Sequence, residues 1–70
     1  MPDTMIFIIQ TINMLLKEEG PMDRPTLVKR VAEQMQLGEL TPYIDSTLDV
    51  MIGTNKVLID ENSKLYTRHQ

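Results

Sequence analysis

Apolar positions recur at helical spacing over the first three quarters of the chain and change to short β-prone runs near its end. Met5, Ile8, Ile9, Ile12, Leu15 and Leu16 make one stripe, which predicts a helix from Met5 to about Glu19. Thr4 or Asp3 is placed to cap its first turn. Gly20 suits a left-handed cap, and Pro21 prevents continuation. A second helix is predicted after Met22, with Asp23 as its cap and Pro25 in a first turn that needs no N–H from it. Leu27, Val31 and Met35, with Val28 and Ala32 beside them, face inward; Lys29, Arg30, Glu33, Gln34 and Gln36 occupy the other side. Leu37-Gly38-Glu39-Leu40 interrupts the period and reads as a short turn.

Thr41-Pro42 opens a third helix as cap and first-turn proline, Ile44, Leu48, Met51 and Ile52 form its inner stripe, and Gly53 is its expected stop. Its opposite side carries Pro42, Ser46, Asp49 and Val50, flanked by Tyr43 and Asp45. Val57-Leu58-Ile59 and Leu65-Tyr66-Thr67 are β-prone and are separated by the turn-forming stretch Asp60-Glu61-Asn62-Ser63-Lys64, the pattern of a hairpin. Arg68-His69-Gln70 reads as a frayed end.

Helix, tight helix–turn–helix and hairpin, in that order, resemble a winged-helix domain across nearly all of residues 1–70, and a single such domain is expected. The residues that carry the resemblance are Gly20-Pro21, Leu27-Val28 with Val31, Thr41-Pro42, Leu48 with Met51-Ile52-Gly53, and Val57 to Tyr66 as the wing. The fold class implied is α+β: three helices with a helix-turn-helix core and a C-terminal β-hairpin wing. The resemblance also implies that Met22 occupies a short bridging strand paired with the hairpin. Winged helices serve in two ways, placing the third helix in a DNA major groove or binding other proteins, and fold alone does not choose between them.

Composition changes the balance between these uses. The 70 residues carry seven Lys+Arg against ten Asp+Glu, a net charge of −3. A protein held mainly by phosphate charge has the opposite sign. Base readout calls for Arg, Lys, Asn or Gln on the groove-facing helix. None lies between Thr41 and Gly53, and Asp45 and Asp49 are expected to repel phosphate. A DNA-binding regulator remains the alternative reading, with Tyr43, Ser46 and Thr47 on the helix and Lys29, Arg30, Lys56, Lys64 and Arg68 as backbone contacts. The hairpin cations have a plainer role as well, since lysines protect exposed strands from edge-to-edge pairing.

The first helix has more apolar surface than one stripe requires. Phe7 and Met14 are seven residues apart on a line opposite Met5, Ile9, Ile12 and Leu16, and Ile6 widens that surface. Gln10 and Thr11 are polar but uncharged, and no charge occurs between Met5 and Leu16. Either the hairpin or the tail covers this face within one chain, or the face meets another surface through Phe7, Gln10, Thr11 and Met14. The second outcome suits a chain this short, whose core gains from association in the absence of disulfides.

Catalytic chemistry is not expected. His69 is the single histidine and there is no cysteine, so no set of residues has the spacing of a zinc site. Asp60, Glu61 and Asn62 lack the alternating ligands and central glycine of a calcium loop and read as turn residues. There is no phosphate-binding glycine loop, and no cofactor is expected. The longest apolar run is five residues, Met5 to Ile9, which excludes a membrane-spanning segment. The expectation is therefore a small, non-catalytic, intracellular (cytoplasmic or nuclear) winged-helix module, a homodimer or docked on a larger protein, in transcription or nucleic-acid machinery.

Overall fold

The computed structural model describes residues 2–36, 39 and 41–68. Three helices, α1 (Pro2–Glu19), α2 (Arg24–Met35) and α3 (Thr41–Gly53), precede two short strands, β1 (Leu58–Ile59) and β2 (Leu65–Tyr66). The strands pair antiparallel, Leu58 opposite Tyr66 and Ile59 opposite Leu65. The chain is thus α+β with the layout of a winged helix. The expected turn at Leu37-Gly38-Glu39-Leu40 and the frayed end at His69-Gln70 fall largely outside the described residues.

Each helix is bounded by identifiable chemistry. Helix α1 starts at Pro2, earlier than Thr4 or Asp3 would set it, because proline is well tolerated in a first turn whose amides have no partners. Gly20 closes α1 with φ 87° and donates its N–H to the Leu16 carbonyl at 3.0 Å. Asp23 caps α2 as expected, accepting from the Thr26 N–H at 3.1 Å. Gly53, however, does not stop α3 by a left-handed turn. Asn55 takes that conformation (φ 64°); its N–H reaches the Ile52 carbonyl and the Lys56 N–H reaches the Met51 carbonyl, the paired bonds of a Schellman cap. The helix still ends at Gly53 as expected, and the left-handed cap is supplied two residues on by asparagine, which visits positive φ more readily than most residues with a Cβ.

The core lies where the three helices and the hairpin meet. Ile8 and Ile12 from α1, Leu27 and Val31 from α2, Ile44 and Leu48 from α3, and Val57 beside the wing are all fully buried. Each contributes about 1.5–3 kcal/mol by leaving water. Met22 bridges to Leu65 as the resemblance implied, donating to the Leu65 carbonyl at 3.1 Å and accepting from its N–H at 2.7 Å. The hairpin is thereby bonded to the segment joining α1 to α2. Leu65 and Thr67 are buried with Tyr66 half-buried between them, the alternation proper to a strand; on β1, Val57 is buried and Leu58 half-buried, but Ile59, paired with Leu65, is 55% exposed. At the tip, one carboxylate oxygen of Asp60 accepts from the N–H groups of Asn62 and Lys64 at 2.8 and 2.9 Å, so Asp60 acts as a turn residue.

Ser63 holds φ 65° at this tip, a conformation that costs a residue with a Cβ about 1 kcal/mol or more. Ser63→Gly is expected to raise stability by roughly 0.5–1 kcal/mol and Ser63→Val to lower it, as measured by urea unfolding.

Candidate interaction surfaces

Two surfaces bear on function, the outer face of α1 and the outer face of α3. On α1 the buried line runs through Ile8, Ile12, Leu15 and Leu16, while Met5 and Ile9 are only half-buried. This rotates the inward face by roughly 45° from the one drawn through Met5, Ile9, Ile12 and Leu16, at 100° per residue. Met14 packs against the core partly buried. Phe7 is left 57% exposed and Ile6 48% exposed, so no described part of the chain covers them. Gln10 is exposed beside them, and the Thr11 hydroxyl donates to the Phe7 carbonyl at 2.8 Å.

The α3 face differs from its sequence reading in two respects. Thr47 is 1% exposed and its hydroxyl donates to the Tyr43 carbonyl at 3.0 Å, so it belongs to the core and is not available as a surface contact. Tyr43, Ser46 and Val50 do reach the surface, Val50 at 50% exposure. Asp45 and Asp49, expected to stand as uncompensated charges, are both engaged by Arg24 at the start of α2. The Arg24 Nε donates to Asp45 Oδ1 at 2.9 Å, and one terminal nitrogen donates to Asp49 Oδ1 at 2.8 Å and to the Asp45 carbonyl at 3.0 Å. The hydrogen bonds to Asp49 and Asp45 raise the guanidinium pKa further. Two carboxylates against one guanidinium leave a residual negative charge on this face, smaller than the two aspartates alone would give.

The cations assigned to backbone contacts are scattered. Arg30 is forked onto both carboxylate oxygens of Glu19, a bidentate pair that holds the Glu19 carboxyl below its usual range. Lys29 is exposed on α2, on the wall of an open groove of about 920 Å³ that runs over Pro25, Val28 and Ala32 toward Thr41. Lys56, Lys64 and Arg68 are exposed around the wing. The charge of Lys64 helps to lower the Asp23 pKa, although the larger cause is hydrogen bonding from Thr26. The residue that sequence reasoning missed is Arg24, whose two partners lie 21 and 25 residues away. The four-residue spacing of Asp45 and Asp49 was its one visible trace.

Among the described residues no group of three or more His, Cys, Asp or Glu is placed to hold a metal ion, and no helix is long and apolar enough to cross a membrane. His69 lies outside the described residues. No protein-family model, curated protein or solved structure matches the chain.

The Arg24 pairs are part-exposed, so each is worth about 0–1 kcal/mol. Double-mutant cycles with Arg24→Met, Asp45→Asn and Asp49→Asn should give a coupling of roughly 0.5–1 kcal/mol for Asp45, less for the more exposed Asp49, both shrinking in high salt. Asp23 supplies a pH test. Its folded pKa is depressed, so its contribution is complete above the ordinary aspartate value of about 4 and is lost as the pH falls through the folded value. Asp23→Asn keeps an effective cap but cannot titrate, so acid unfolding curves of this variant should be flatter than those of the wild type.

Proposed function

We propose that the chain is a non-catalytic winged-helix interaction module that meets another protein surface through the outer face of α1. The observation that carries this reading is the exposure of both Phe7 and Ile6 on a helix without a charge between Met5 and Leu16. Exposed apolar side chains rimmed by uncharged polar residues suit an association site, and aromatic residues with Met are enriched at the centres of such sites. Gln10 supplies a polar contact at the middle of the face, and half-buried Met14 an adaptable one.

The second reading is a DNA-binding regulator with weak backbone contacts assisted by the wing. One observation favours it: Arg24 neutralises part of the charge on Asp45 and Asp49, which lowers the repulsion of a phosphate backbone at α3. Against it stand the burial of Thr47, the engagement of Arg30 by Glu19, and the lack of any forked donor on α3 to read a base.

Two measurements decide between these roles. If Phe7 serves a partner rather than the core, Phe7→Ala at low micromolar concentration changes stability by no more than about 0.5 kcal/mol. A loss of roughly 3 kcal/mol or more would make Phe7 structural and end the proposal. In an NMR titration with mixed-sequence duplex DNA at about 0.15 M salt, Tyr43, Ser46 and Val50 should keep their positions. Shifts there that persist as salt is raised would establish the DNA reading instead.

A further inference from the structure

We draw no further inference here: the strongest candidate, the open groove between α2 and the start of α3, is lined by Arg24 and Lys29 against Glu33 and Asp45, so its charge favours no one class of occupant and nothing in the structure shows what covers it.

Discussion

Two backbone hydrogen bonds between Met22 and Leu65 close this fold. Two residues per strand make a ladder too short to persist alone in water, so the hairpin depends on a third strand and a core to rest on. Met22 supplies both: its backbone extends the sheet by one bridge and its side chain is buried beneath it. Because Met22 lies between the left-handed turn at Gly20 and the Asp23 cap, the same bridge fixes where α1 ends, where α2 starts and where β2 crosses. Val57 and Leu65 are then held over the inner sides of the helices, and the core is completed with contributions from every element.

The two outer helix faces follow from that closure. The hairpin docks on the side of α1 that already holds Ile8, Ile12 and Leu15, and no described residue is left to cover Ile6 and Phe7. On α3, the first residue of α2 sits close enough to engage Asp45 and Asp49 together. A helix that looks anionic in sequence therefore keeps only part of its negative charge, a surface of Tyr43, Ser46 and Val50 beside an ion-paired edge. Neither face has the dense guanidinium and amide groups that recognise bases, and only the α1 face combines apolar exposure with freedom from charge. Protein contact is the better match to this chemistry.

Most of the fold was legible in the sequence because its signals are local. The Gly20 cap, the Asp23–Pro25 helix start, the Asp60 turn and the change of hydrophobic period each depend on residues within a few positions of one another. The bridge at Met22 came from the resemblance to winged helices and not from any property of methionine. What stayed hidden depends on three-dimensional placement. On α1 the four buried residues, Ile8, Ile12, Leu15 and Leu16, all lie on the stripe read from the sequence, but Met5 and Ile9 on that same stripe are only half-buried, a difference that packing alone decides. Thr47 passes for a surface residue until its hydroxyl is seen to bond the carbonyl of Tyr43, one turn back. Arg24 is concealed between a cap and a proline, and nothing near it in sequence reveals partners on another helix.

The dependence of the whole on the Met22–Leu65 bridge is tested most directly by native-state hydrogen exchange followed residue by residue. The account predicts that the amides of Met22 and Leu65 exchange only through global unfolding, with the same protection free energy as the amide of Leu48 in the middle of α3. Exchange of the Leu65 amide through a local opening, several kcal/mol easier than that of Leu48, would contradict it, because the wing would then be an appendage to a helical core that stands without it.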